Sequence, residues 1–354
     1  MNEPINTSQS KEERFYYMDL LRIYTIFCMI ILHVSGSYWE SQPVTGLQWN
    51  VFNMYDSLVR FCVPVFVMIS GALLLGPEKK ISIYNLYTKK IFRILTAFIF
   101  WSVAYAFFTI LTDIYNHKSL TYETFQSFLS KILNGEYHLW FCYMIVGLYV
   151  AVPLLRKIAE SEQLIKYFLI LSFTTSILIP TLQLSGATVV GYLDINIGLG
   201  YTFYFMLGYY LSKKKLSTMI SNLIYVLGIA GAAFIILYSR HMAMVLQKPF
   251  GYYSYFTLFC TLEAIAVFVF FKNNSEKILK TQHLKNIVVK FSGLCFGIYL
   301  VHVFVLMMFA TLGINTILMN PFISVPLIAL SAFIISGFIS WTLHKIPILK
   351  KYIV

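Results

Sequence analysis

Apolar runs of about 18 to 25 residues, joined by short polar connections, dominate the hydrophobic pattern, and that is the length a helix needs to cross a hydrocarbon core. Ten such runs are read, at roughly 17–38, 51–75, 91–112, 137–155, 164–182, 193–211, 219–239, 252–271, 291–311 and 324–344. The pattern predicts an all-α polytopic membrane protein with about ten transmembrane helices, and an even number of crossings puts both termini on one side. Polar positions inside the runs are few. The first run, YYMDLLRIYTIFCMIILHVSGSY from Tyr16 to Tyr38, concentrates them in Asp19, Arg22 and His33. Arg22 and His33 are eleven positions apart, about three helical turns plus roughly 20°, so they share one face with about 16 Å between them along the axis. An ionisable group at the bilayer centre costs about 2.5–3.5 kcal/mol on insertion scales unless it faces a bundle interior or a wet cavity. The stripe therefore reads as a functional lining, with a snorkelling arginine plus a hydrogen-bonded core histidine as the alternative that periodicity leaves open.

Composition changes the picture by exclusion. With 58% hydrophobic and 12% charged residues over 354 positions, and a mean hydropathy of +0.72, the chain is far from the roughly 25% charge of soluble domains. Only residues 1–14 read as a flexible tail. Residues 15–346 form one transmembrane domain and 347–354 a short second tail, so the chemistry is expected in or at the membrane. The first run is too long and too charged for a cleavable signal peptide and is expected to remain as the first span. All five cysteines, Cys28, Cys62, Cys142, Cys260 and Cys295, lie inside apolar runs as small hydrophobes, with no disulfide or metal framework.

Charge then fixes direction. Of 27 Lys and Arg residues, 21 fall on the side that holds the termini and four (Lys118, Lys131, Arg240, Lys248) on the other, with Arg22 and Arg60 inside spans. By the positive-inside rule both termini are cytoplasmic. The net charge of +12 is this topological signature, and nucleic acid is excluded as a partner. Trp39, Trp49, Trp101, Trp140, Tyr252, Tyr253 and Tyr255 stand at span ends, as in an interfacial aromatic belt. No repeat of 20 to 50 residues is visible.

Candidate chemistry clusters at both ends of the first run. The connection GPEKKISIYNLYTKKIFRIL carries five basic residues in 15 positions, and Lys89, Lys90 and Arg93 open the third span with Lys90 and Arg93 on one helical face. Such a cluster suits phosphate oxygens, through arginine's planar fork and lysine's point charge, or else anionic headgroups. On the opposite side NGEYHLWFCYMIVGLYVAVPLLR brings Glu136, His138, Trp140 and Tyr143 within two turns, either as a proton-shuttling and sugar-stacking site or as an interfacial belt. Arg60, Glu263 and His302 are three more intramembrane polar residues. Asp56, one turn before Arg60, is a local partner for it and Glu263 a partner across helices, while Tyr299 precedes His302 by one turn. Asp194 reads as a helix start.

At these residues the chain resembles the acyltransferase-3 family of integral membrane acyltransferases, in particular its WecH-like sugar O-acetyltransferase group. MDLLRIYTIFCMIILH is similar to the family's pattern of Arg, ten residues and His, falling on Arg22 and His33. Lys90 and Arg93 match its basic pair at the start of the third helix, with Lys in place of the first Arg. VPVFVMISGALLL, HLWFCYMIVGLYVAVPLLR and FGIYLVH are further similar segments. The resemblance implies transfer of an acyl group, most often acetyl from acetyl-CoA, to a hydroxyl of an outward-facing glycan or lipid-linked sugar, in a bacterial plasma (inner) membrane. It also implies direct transfer, because these residues include neither the outer esterase-like domain nor the cytoplasmic racemase domain of some relatives.

In this reading His33, Arg22 and Asp19 are catalytic, with His33 as general base. Arg22, Lys89, Lys90 and Arg93 bind the donor. Glu136, His138, Trp140, Tyr143, Arg60, Glu263 and His302 are acceptor-side candidates. No metal is expected, the partners are membrane lipids, acyl-CoA and the acceptor, and a homo-oligomer is left open. Two alternatives remain: a transporter or flippase for a lipid-linked sugar or polysaccharide, and the same enzyme using succinyl-CoA with Arg60 meeting the extra carboxylate.

Overall fold

The computed structural model describes residues 14–76, 78, 82–115, 121–184 and 200–354. The described residues form helices in the order α1 (Tyr16–Gly36), α2 (Leu47–Val59), α3 (Cys62–Leu74), α4 (Ile83–Asn85), α5 (Phe92–Tyr115), α6 (Tyr122–Asn134), α7 (Trp140–Ala159), α8 (Glu162–Phe173), α9 (Ile179–Leu184), α10 (Gly200–Lys213), α11 (Thr218–Leu246), α12 (Leu258–Ile278), α13 (Gln282–Thr311), α14 (Pro321–Leu343) and α15 (Pro347–Tyr352). Among them are nine stretches long and apolar enough to cross a membrane. The sequence reading of ten runs differs at 193–211, whose first residues, Asp194 included, lie outside the described residues, while α10 supplies the rest. Lys11, Lys79, Lys80, Lys118 and the first thirteen residues of the tail also lie outside them.

The first span is the central post of the bundle. α1 touches α2, α3, α12, α13 and α14, and Leu21, Ile26 and Ile30 on it are fully buried. Around it helices approach closely where side chains are small. A Cβ at Gly71 of α3 would strike the Phe205 backbone of α10, and one at Gly208 of α10 would strike the Met68 backbone of α3. At Gly228 of α11 the methyl of Ala266 on α12 fills the gap.

Three departures from a set of plain spans matter for the site. The run read as 51–75 is broken into α2 and α3 at Arg60 and Phe61. Pro64 has no N–H to give to the Arg60 carbonyl, so the helix is interrupted one turn before it. Upstream of α5 the chain makes a π-helical turn, Leu86–Ile91, which holds Lys89 and Lys90. Within residues 347–354, read as a short tail, Pro347–Tyr352 form α15, which packs on α5, and Val354 beyond it is fully buried.

The aromatic belt is partly an internal feature. Trp49 and Trp101 are buried in protein rather than placed at its lipid surface, and Tyr252 is buried as well.

Candidate active site

A cavity of about 450 Å3 runs inside the bundle, and it joins the two groups of residues that the first helix carries. Arg22, Lys89, Lys90, Arg93 and Ser292 line one end. His33, His138, Trp140, Tyr255 and Tyr299 line the other. The separation follows from α1 itself, because eleven residues of α-helix set Arg22 and His33 about 16 Å apart on one face.

At the basic end Asp19 lies behind Arg22. Its carboxylate accepts from Arg14 Nε at 2.8 Å and from the Ser292 hydroxyl at 2.7 Å, and that hydroxyl accepts from Arg22 Nη1 at 2.8 Å. Arg22 and Asp19 themselves stand 3.7 Å apart. The guanidinium is thus oriented through Ser292 of α13 while most of its N–H groups stay available. Arg93 is buried to a similar degree: Nη2 donates to a terminal oxygen of Val354, the guanidinium carbon lies 5.7 Å from the Phe296 ring centre, and Nε has no hydrogen-bond partner among the described residues. The π-helical turn adds Lys89 and Lys90 to this wall. A π turn adds a residue to a helical turn, and such turns are frequent at functional sites.

At the other end three imidazoles come together from three elements. His33 of α1 lies 5.2 Å from His302 of α13, and His302 lies 5.1 Å from His138, which sits in a single 3-10 turn before α7 (ring centres). His302 is fully buried, and its Nδ1 is 2.6 Å from the Tyr299 carbonyl, an oxygen that can only accept. Nδ1 therefore carries the proton, which leaves Nε2 as a lone-pair acceptor with no partner among the described residues. His138, 2% exposed, has neither ring nitrogen hydrogen-bonded among the described residues. Buried imidazole nitrogens of this kind point to a polar ligand or water in the chamber. The Tyr299 hydroxyl donates to the His138 carbonyl at 2.8 Å and ties the turn to α13. Tyr137 stands 5.3 Å from His33, and Trp140 stacks on Tyr255 at 6.3 Å (ring centres).

The remaining candidates lie outside the lining. Arg60 pairs with Asp56 one turn earlier, and its guanidinium covers the rings of Tyr253 at 4.4 Å and Tyr255 at 5.6 Å, so it supports the cavity wall from behind. Glu263, expected as its partner across helices, makes no hydrogen bond with either carboxyl oxygen among the described residues. Glu136 pairs with Lys131 at 3.1 Å, and the Tyr143 hydroxyl donates to the Leu133 carbonyl at 2.6 Å. These two fasten α6 to the start of α7. Sequence reasoning did not find Ser292, Ser70 or Tyr149 in the lining, because uncharged polar residues in apolar runs carry no pattern, and it placed Tyr255 in a belt. The described residues hold no group of three His, Cys, Asp or Glu side chains with the geometry of a metal site.

Fold and site together define a class: a multi-pass membrane protein with an internal chamber that is cationic at one end and imidazole-rich at the other. The match is specific, since residues 15–343 fit the family model described as an acyltransferase domain, and the chain belongs to that acyltransferase-3 family as a membrane acyltransferase. No curated protein and no solved structure matches the chain.

Proposed function

We propose that the protein moves an acyl group, in the first instance acetyl, from cytoplasmic acyl-CoA to a hydroxyl of an outward-facing glycan or lipid-linked sugar. The observation that carries this reading is the continuous cavity from Arg22, Lys89, Lys90 and Arg93 to His33 and His138. A coenzyme A thioester has a phosphorylated nucleotide head and a long uncharged arm. A cationic mouth leading to an imidazole about 16 Å deeper complements both parts.

In this mechanism the basic residues hold the phosphates and the arm carries the thioester toward His33. His33 takes the proton of the acceptor hydroxyl as that oxygen bonds to the thioester carbonyl carbon. The C–S bond then breaks, the thiolate leaves as coenzyme A, and His33 returns the proton to sulfur, so no proton is gained or lost overall. A neutral imidazole has the lone pair that takes the hydroxyl proton and, once protonated, the N–H that returns it. Trp140 and Tyr255 offer flat apolar faces to a sugar ring, and the unpartnered nitrogens of His138 offer polar contacts to its hydroxyls, with His302 packed behind His33 and His138. Acetyl is favoured over succinyl because Arg60, the cation considered for a second carboxylate, is committed to Asp56 and lies outside the lining.

The test uses membranes supplied with labelled acetyl-CoA. His33→Ala and His33→Gln are expected to lower transfer about 10²- to 10⁴-fold while coenzyme A binding is retained. Full transfer by both variants overturns the general-base role. Transport of a sugar without release of free coenzyme A would establish the transporter instead, and a succinyl rather than acetyl mass gain on the product would change the donor.

A further inference from the structure

Asp19 and Arg22 are three positions apart near the start of α1, a spacing at which a carboxylate and a guanidinium on one helix usually pair directly. Here they stand 3.7 Å apart, with a hydroxyl from another helix bridging them. Ser292 of α13 donates to Asp19 Oδ1 at 2.7 Å and accepts from Arg22 Nη1 at 2.8 Å. A hydroxyl has one proton to give and lone pairs to accept with, so it makes both bonds at once. A second arginine takes the rest of the carboxylate. Arg14, just ahead of α1, donates from Nε to Oδ2 at 2.8 Å and from Nη2 to Oδ1 at 3.2 Å, a two-pronged grip on a buried acid.

The formal charges give this arrangement its consequence. One carboxylate faces two guanidinium groups, so one positive charge of the three is left over. The hydrogen bonds assign Asp19 to Arg14, whose side chain is half exposed and outside the cavity lining, and leave the surplus on Arg22, which is in the lining with Ser292. A direct Asp19–Arg22 bond would need the 3.7 Å gap to close to about 2.8 Å, a movement of about 1 Å, and would commit Arg22 donors to the protein. Ser292, buried and bonded to both groups, holds the gap open.

We propose that Arg14 and Ser292 are positioning residues of the donor site: together they occupy Asp19, so that the carboxylate orients the Arg22 guanidinium without neutralising it and Arg22 meets the phosphates of the acyl donor. This inference rests on the donor reading given above. Neither residue need touch the donor, since both act by deciding which arginine Asp19 pairs with.

The experiment measures equilibrium binding of labelled coenzyme A to the purified full chain in detergent. Arg14→Gln removes the competing cation and Ser292→Ala removes the bridge, and each is expected to weaken coenzyme A about three- to tenfold, the scale of one weakened charge-assisted contact. In an Asp19→Asn background the same two substitutions are expected to change affinity no further, because a neutral amide no longer draws Arg22 away. Unchanged binding in either Arg14→Gln or Ser292→Ala, with binding lost in Arg22→Ala, overturns the inference alone. An equal loss with Asp19 and with Asn at that position also overturns it, by showing a direct contact with coenzyme A or a general packing effect. Wild-type protein that does not bind coenzyme A, or Arg22→Ala that binds as wild type does, overturns the donor reading beneath it. Arg14 lies outside α1 and is half exposed, so Arg14→Gln carries the test if Ser292→Ala does not purify as folded protein.

Discussion

Single residues in this protein are expensive to place and cheap to misread. Arg60 reads from the sequence as an acceptor-side candidate with Asp56 or Glu263 as its partner, and in the fold it is nine-tenths buried and paired with Asp56. Removing one partner of such a pair leaves an uncompensated charge, so Asp56→Asn is expected to cost about 3–5 kcal/mol of stability, read as a lowered thermal midpoint in detergent. The double variant Asp56→Leu, Arg60→Met is expected to recover much of that loss, because no lone charge then remains. At the basic end, Lys90→Ala combined with Arg93→Ala is expected to raise the apparent KM for acyl-CoA by tenfold or more, the scale of two charge-assisted contacts. Steady-state kinetics with a saturating acceptor checks it, and an unchanged KM would assign these charges to topology alone.

Elements position these residues through features that hydrophobic periodicity does not report. The break between α2 and α3 places Arg60 beside Tyr253 and Tyr255, and its cause is one proline, Pro64, which cannot donate to the carbonyl one turn back. The α3–α10 crossing depends on Gly71 and Gly208, where added Cβ atoms would meet partner backbone that cannot swing away. Gly71→Val and Gly208→Val are each expected to destabilise by at least about 1–3 kcal/mol, the usual range for overpacking, and to reduce the yield of monodisperse protein on size exclusion. A Cβ at Gly147 or Gly293 would meet open space instead. Gly147→Ala is therefore expected to change stability by no more than about 1 kcal/mol, in the favourable direction that helix propensity gives, read as an unchanged or slightly raised thermal midpoint.

At the scale of the whole molecule, the asymmetry of 21 against four basic residues predicts a definite direction in the membrane. The natural cysteines make this simple to check, since all five are buried. Lys215→Cys is expected to resist a membrane-impermeant maleimide in intact cells, and Lys248→Cys to react. The reverse pattern would invert the chain and move the basic mouth to the outer side, away from the cytoplasmic donor proposed above.

The sequence by itself determined the all-α membrane architecture, the approximate spans and the Arg22–His33 stripe. Those follow from local rules: apolar length set against bilayer thickness, and angular period along one helix. It also isolated His138, His302 and the Lys89, Lys90 and Arg93 cluster, each as an anomaly in its own run. Only the tertiary structure decided that His33, His138 and His302 meet, that Ser292 links Arg22 to Asp19, and that Val354 returns to Arg93. Each of these contacts joins residues more than 100 positions apart, apart from the Arg22–Asp19 turn that Ser292 bridges. Period fixes which face of a helix a residue occupies, but which helix lies opposite is set by close packing of small residues and by the need to satisfy every buried polar group.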